Sequence, residues 1–315
     1  AYRPLARRAP LTETGGWSVS ERRCAFLTLE ERGDFVIDDE VAIPALEAAG
    51  WRVDTVPWRQ TSRPWSEFDV VVVRSTWDYW DDVPGFLRIL ERIDAETRLA
   101  NPLNLLRWNL AKTYLRDLQA AGVTIVPTLW RDRLDAGGLA EAVDRFGTQD
   151  LVLKPQVGGN GQGVMRLRKA ECSATFAEAM ERYRATPCMI QPFREAILEA
   201  GEWSLFAFRN QHSHAILKRP ARGEFRSQEE RGAIIEAADP SDGLRAAAFR
   251  ALEVLPSPAL YARIDLIESA GVGAELVELE LIEPSLYFRT DSGAPGRFAR
   301  ALNEWYASPA DSELG

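Results

Sequence analysis

The sequence predicts a mixed α/β and α+β chain, with a parallel α/β unit first and antiparallel strands after it. Three observations carry this. Residues 68–74 read Phe-Asp-Val-Val-Val-Val-Arg, apolar enough for a parallel strand buried on both faces. Residues 151–154 form a short apolar strand ending in Lys154, and a loop with Gly158, Gly159, Gly161 and Gly163 carries it into the alternating run 164–168. Residues 274–284 alternate acid and aliphatic after a glycine-bearing turn, so they pair as a hairpin with residues 259–267.

The elements follow in order. Residues 1–20 are polar, with Pro4, Pro10, Gly15 and Gly16, and lack the apolar stretch of a signal peptide, so they read as a loose tail. The first unit spans residues 21–108. It holds a strand at 23–28, a helix at 38–49 closed by Gly50, a strand at 52–56 and the buried strand at 68–74. Loops at the carboxyl ends of such strands carry sites. Arg74, Ser75, Thr76 and Trp77 occupy that position and read as substrate-binding, the alternative being a capped helix start. The central unit, residues 109–188, holds a helix at 110–121 ended by Gly122, a strand at 124–128, a helix at 138–146 and the Lys154 strand with its loop. The last unit, residues 189–315, holds two strands around a turn at Asn210, helices at 241–254 and 297–307, and the acidic hairpin.

The chemistry concentrates in two places. A glycine-rich loop lets backbone N–H groups close around phosphate oxygens, and Lys154 adds a positive charge for the same anion. The loop joins strand to strand, which argues against a P-loop or a dinucleotide fingerprint; the bland reading is a turn. In the hairpin, Glu278 and Glu280 are two apart and share a strand face, and Asp265 can join them from across. Three carboxylates on one face repel unless a hard cation lies between them; the bland reading is a solvated edge. Arg263 shares the face of Asp265 and can bridge a carboxylate and a transferring phosphoryl group, or be a structural ion pair. His212 and His214 tempt a metal reading, but no third ligand is near in sequence and a surface turn is preferred. Trp77, Trp80 and Trp108 are read first as packing residues.

Composition narrows the classes. The chain has 315 residues, 46% hydrophobic and 27% charged, which suits two or three packed units. A net charge of −9 without a basic run argues against nucleic acid, and no apolar stretch reaches membrane-spanning length. Cys24, Cys172 and Cys188 are odd in number and scattered, so neither disulfides nor zinc are implied, and the cytoplasm is the expected compartment.

From about residue 22 to 305 the chain resembles the ATP-grasp superfamily, whose members hold ATP between two α+β subdomains under a glycine-rich flap. The resemblance implies roles for particular residues. Lys112, in Trp108-Asn109-Leu110-Ala111-Lys112-Thr113, and Lys154 would be the two nucleotide-binding lysines. Gly158, Gly159, Gly161 and Gly163 would form the flap. Gln191, Pro192 and Phe193, in Met189-Ile190-Gln191-Pro192-Phe193, would be the hinge that reads adenine. Glu199 or Glu202 would reach the ribose. Asp265, Glu278 and Glu280 would hold magnesium, with Glu283 in reserve because Glu280 stands where related ligases carry asparagine. Arg263, Arg226 and Arg219 would serve the reacting phosphate.

Closer resemblance is to the glutathione-synthetase-like branch that includes the O-ureido-serine cyclo-ligase of cycloserine biosynthesis. It rests on Val73-Arg74-Ser75-Thr76-Trp77-Asp78-Tyr79, Leu217-Lys218-Arg219-Pro220 and Glu278-Leu279-Glu280-Leu281-Ile282-Glu283-Pro284-Ser285. It implies an ATP- and magnesium-dependent ligase that activates a small-molecule carboxylate as an acyl phosphate for attack by an amine. The alternatives are an intramolecular cyclo-ligase acting on an amino acid, in an antibiotic pathway, and a nucleotide-binding module without chemistry. The partners implied are small molecules, neither nucleic acid nor membrane, with a homodimer left open. The reading requires Lys154 and Asp265 to face each other across one cleft.

Overall fold

The computed structural model describes residues 21–60, 62–168 and 174–308; the tail expected at 1–20, and Cys172, lie outside the described residues. The N-terminal unit begins with β1 (Arg22–Thr28). A 3-10 turn at Asp39–Ala42 precedes α1 (Ile43–Ala48), so the single helix expected at 38–49 is split. Pro44 lacks an N–H and fits only a first helical turn, which restarts the helix there. Next come β2 (Trp51–Pro57), β3 (Val70–Val73), α2 (Val83–Glu96) and β4 (Arg98–Ala100). The strands are parallel in the order β2-β1-β3-β4. All four valines of β3 are fully buried, as the apolar run requires.

The middle of the chain holds α3 (Leu103–Asn109), α4 (Tyr114–Ala120), β5 (Leu129–Arg131), α5 (Ala136–Phe146), β6 (Leu151–Pro155), β7 (Met165–Leu167), α6 (Ala174–Arg182) and β8 (Cys188–Pro192). These strands form an antiparallel sheet ordered β5-β8-β6-β7. The helix expected at 110–121 starts only at Tyr114, because the Lys112 N–H donates to Gln156 O at 2.7 Å instead of to its own turn. The strand expected at 124–128 reduces to one bridge between Ile125 and Leu276. Pro127 has no N–H for a ladder, and regular pairing begins at Leu129. The division placed between residues 188 and 189 falls inside β8, which pairs on both sides within this sheet.

The rest of the chain is α7 (Ala196–Glu199), β9 (Glu202–Phe208), β10 (Gln211–Arg219), β11 (Ile234–Ala237), α8 (Asp242–Leu252), β12 (Tyr261–Ser269), β13 (Gly273–Glu280) and α9 (Ala294–Ala307). Its sheet is antiparallel, ordered β11-β10-β9-β12-β13. Arg209 and Asn210 both have positive φ, 48° and 59°, the two-residue turn that joins twisted strands with least distortion. The histidines do not lie on a surface turn together. A bulge falls between them, and His214 is buried, its ring 4.3 Å from that of Phe206. Phe298 of α9 packs edge-on against Phe26 of β1 and Phe208 of β9, so one core joins the parallel sheet to the antiparallel one. No helix among the described residues is long and apolar enough to cross a membrane.

Candidate active site

One cleft lies between the middle sheet with its flap and the hairpin of β12 and β13, and Lys154 and Asp265 both line it. The flap, residues 156–164, is a local product of its glycines. Gly161 has φ +64°, a conformation that costs a side-chain residue more than glycine. Gly159 is required for another reason: a Cβ there would lie 2.7 Å from Trp80 Cζ3. Below the flap, the Lys154 ammonium makes no hydrogen bond or ion pair among the described residues, and burial lowers its pKa. Lys112 donates to Gly158 O at 2.8 Å and pairs with Glu278, so it ties the flap to the acidic wall. Burial pulls the Lys112 ammonium down, but Glu278, with Glu280 and Glu283 behind it, offsets burial and its pKa ends up raised.

The acidic wall follows from strand register. Asp265 stands opposite Glu278, and Arg263 opposite Glu280. Arg263 reaches both Asp265 (3.0 Å) and Glu280, while Lys218 reaches both Asp265 (3.4 Å) and Glu202. Burial would push the Asp265 carboxyl up, but Arg263 and Lys218 overcome it and hold it at about 2. Glu280 behaves oppositely. Burial pushes it up to about 7; Arg263 opposes that rise, and Glu278 and Asp265 add to it. Burial and then the Glu280 carboxylate push Glu283 up to about 8.

This donor set fits magnesium on its chemistry. All the donors are carboxylate oxygens, and the charges of Glu278 and Asp265, which add to the rise that burial imposes on Glu280, are what a bound divalent cation would offset. The carboxylates are not gathered in advance: among the described residues no three are grouped to hold an ion, since Lys112, Arg263 and Lys218 occupy them.

The other expected residues divide. Gln191, Pro192 and Phe193 line the cleft from β8, with the Gln191 side chain donating to Thr128 Oγ1 at 2.9 Å. Glu202 lines it, whereas Glu199 ends α7 outside it. Arg226 lines it and is paired with Glu224 at 2.6 Å. Arg219 does not; it is exposed and paired with Glu236, and its neighbour Lys218 takes the inward position because adjacent strand residues face opposite ways. Gly158, Gly159 and Gly161 line the cleft, but Gly163 does not, its carbonyl accepting from the Tyr183 hydroxyl. Of the expected substrate loop only Trp77 lines the cleft. Arg74 is 1% exposed and bonded to Asp39 at 2.8 Å, Ser75 Oγ is 2.8 Å from Thr28 Oγ1, and Thr76 is fully buried. They lie behind the cleft because β3 ends in the core rather than at its surface.

Sequence reasoning gave no role to Lys218, Ser227 or Gln228. Ser227 Oγ and Gln228 Oε1 are buried on the cleft wall without a partner among the described residues, a cue only three-dimensional accounting can give. It also missed a strap after β13. Leu281 O accepts from Asn101 (2.7 Å), Ile282 O from the Tyr261 hydroxyl (2.8 Å) and Glu283 O from Trp77 Nε1 (2.7 Å). Pro284 O accepts from Arg74 Nη2 (2.9 Å), and Leu286 O from His214 Nε2 (2.9 Å). Irregular buried backbone must find such partners.

A flap over a lysine, facing a carboxylate hairpin between two α+β layers, defines the class: an ATP-grasp ligase. Residues 24–101 match the family model for the N-terminal domain of the D-cycloserine synthetase DcsG, and residues 138–285 that for the ATP-grasp domain of prokaryotic glutathione synthetase. The cycloserine biosynthesis protein DcsG of Streptomyces lavendulae is 32% identical over 295 aligned residues, spanning 83% of this chain and 92% of that protein. A glutathione synthetase of Prochlorococcus marinus subsp. pastoris is 26% identical, over 65% of this chain and 62% of that protein. The crystal structure of D-cycloserine synthetase DcsG superposes with a TM-score of 0.79 at 29% identity, covering 90% of this chain and 99% of that one. The chain belongs to the ATP-grasp ligases, on the branch that includes DcsG. It is an ATP-dependent enzyme of carbon–nitrogen ligation that uses magnesium.

Proposed function

We propose that this enzyme phosphorylates the carboxylate of an amino-acid substrate and directs a nitrogen nucleophile onto the resulting acyl phosphate. The observation that carries the reading is Lys154, an ammonium without a partner among the described residues under a glycine flap, facing Asp265 and the acids of β13 across one cleft. A carboxylate is a poor electrophile because its leaving group would be oxide; phosphorylation supplies a better one. Lys154, Lys112 and the amides of Gly158, Gly159 and Gly161 hold the triphosphate in this reading, and Gln191, Pro192 and Phe193 hold the base. Glu202 serves the ribose. Magnesium held by Asp265, Glu278 and Glu280 would join those acids to the phosphates and offset their charge. Arg263 and Arg226 face the transferring phosphoryl group, where fixed positive charge lowers the barrier most. The flap keeps water from the acyl phosphate.

Ring closure within a single substrate such as O-ureido-serine is the second reading. It is favoured by the match to the DcsG N-terminal domain, because that part of the chain supplies Trp77 and Trp80 at the cleft. A cytoplasmic enzyme acting on small molecules remains the expected setting, with a homodimer as an assembly to be measured.

The test is phosphate release from magnesium-ATP over amino acids singly and in pairs, with both enantiomers of O-ureido-serine included. Turnover with one co-substrate indicates cyclisation, and turnover only with pairs indicates intermolecular ligation. Glu278→Gln is expected to lower kcat by about 100-fold or more, the scale of one lost electrostatic element. A Gln variant as fast as the parent would remove Glu278 from the metal site.

A further inference from the structure

The carboxylates of the cleft are not equivalent. Glu278 is paired with Lys112, Glu280 with Arg263, Asp265 with Arg263 and Lys218, and Glu202 with Lys218. Glu283 lines the same cleft and, among the described residues, its carboxylate has neither a hydrogen bond nor an ion pair. Its backbone is the opposite case. Trp77 Nε1 donates to Glu283 O at 2.7 Å, and Arg74 donates to the next carbonyl, Pro284 O, at 2.9 Å. Arg74 is itself fixed by Asp39. With two successive carbonyls held, the direction in which the Glu283 side chain leaves the strap is preset.

That side chain arrives where flap and aromatic wall meet. A Cβ added to Gly159 would lie 3.5 Å from Glu283 Oε1 and 2.7 Å from the Trp80 ring. A preset side chain with no partner among the described residues, beside indole rings, suits a cation, whose charge offsets the burial that raises the Glu283 carboxyl and which gains from both carboxylate and ring.

We propose that Glu283 binds the amino nitrogen of the substrate, and that Trp77 and Arg74 are positioning residues that aim it. This rests on the amino-acid substrate class proposed above. It gives Trp77 and Arg74 a role through the backbone of the strap, and it takes Glu283 out of the magnesium set.

The experiment compares the parent with Glu283→Gln, Glu283→Asp and Trp77→Phe, the last keeping a ring while removing the donor. Calorimetric titration with D-serine, L-serine and both enantiomers of O-ureido-serine, in the presence of magnesium-ADP, reads binding without turnover. The expected result is that Glu283→Gln weakens amino-acid binding by about tenfold or more, the worth of a charge-assisted hydrogen bond. Glu283→Asp restores part of it, and Trp77→Phe weakens it several-fold in the same direction. The KM for magnesium-ATP and the magnesium activation constant stay near the parent's in all three. An analogue lacking the amino group binds parent and Glu283→Gln alike. A raised magnesium activation constant with unchanged amino-acid binding would overturn the proposal and return Glu283 to the metal. So would equal binding by parent and Glu283→Gln, or a parent that binds none of the four probes. Glu283-dependent binding without phosphate release would instead sink only the ligase-substrate reading. Thermal melting of each variant separates lost binding from lost folding.

Discussion

Lys218 and Arg219 are adjacent cations with opposite surroundings. Lys218 is 5% exposed and sits between Glu202 and Asp265, which raise its pKa against burial; Arg219 is exposed and paired with Glu236. Breaking a buried pair leaves an uncompensated charge and costs about 3–5 kcal/mol, whereas an exposed pair is worth about 0–1 kcal/mol. Lys218→Met is therefore expected to shift the urea midpoint strongly and to slow magnesium-ATP turnover, and Arg219→Ala to do neither. Equal effects in the two variants would refute the assignment of the inward position. The resemblance points to Arg219 in residues 217–220, and the structure puts Lys218 in the cleft instead. Residues 214–218 of β10 are all buried, so no alternation marks which side is the cleft. The face is set by pairing with β9, Lys218 opposite Glu202, and that register includes the bulge between His212 and His214. The carboxylates share a face, but not through the turn alone: its register pairs Leu266 with Leu276 and would set Asp265 opposite Val277, and a bulge there shifts the pairing so that Asp265 meets Glu278 and Arg263 meets Glu280.

At the scale of elements, the flap depends on close approach more than on flexibility. Gly159 faces Trp80 at a distance no side chain tolerates, while Gly161 faces Gln228, with Oε1 2.8 Å from where a Cβ would stand. Gln228 can swing aside; the Trp80 ring, packed 5.5 Å from Tyr79, cannot move as cheaply. Gly159→Ala is expected to hold the flap away from Trp80. It should lower kcat/KM by about tenfold, in line with the effect of a misplaced lid, while the melting temperature stays within about 2 °C of the parent's. Steady-state kinetics beside a thermal melt decide it, and an Ala variant with parental kcat/KM would mean that the flap closes elsewhere. Elements built from local signals were legible: the β6–flap–β7 unit, the turn at Arg209 and Asn210, and the Ser241 cap that starts α8. Those set by distant partners were not. α4 begins late because Lys112 gives its N–H to Gln156, and the segment around Pro127 is held by Leu276 of β13 rather than by its neighbours.

Across the whole molecule, two of the three sheets share a core through α9, and the third faces the resulting body across the cleft. Arg194 of the middle segment clasps the buried Glu275 of β13 at 2.7 Å, and Lys112 spans from the flap to Glu278, so the two walls meet at charged contacts as well as apolar ones. A ligand that binds both walls stabilises the folded chain by mass action, about 2.7 kcal/mol at a hundredfold excess over its Kd. For a chain of this size, that corresponds to a rise in melting midpoint of about 5 °C. Magnesium-ADP is expected to produce such a rise. ADP with a chelator is expected to give less than half of it, since the diphosphate then meets Glu280 and Glu278 with no cation between. Glu278→Gln should erase most of the magnesium-dependent part and leave the rest. Differential scanning with ADP, with and without magnesium, measures both. A shift of the same size in chelator would mean that the nucleotide is held from the lysine side alone, and that the acids of β13 serve something other than the metal.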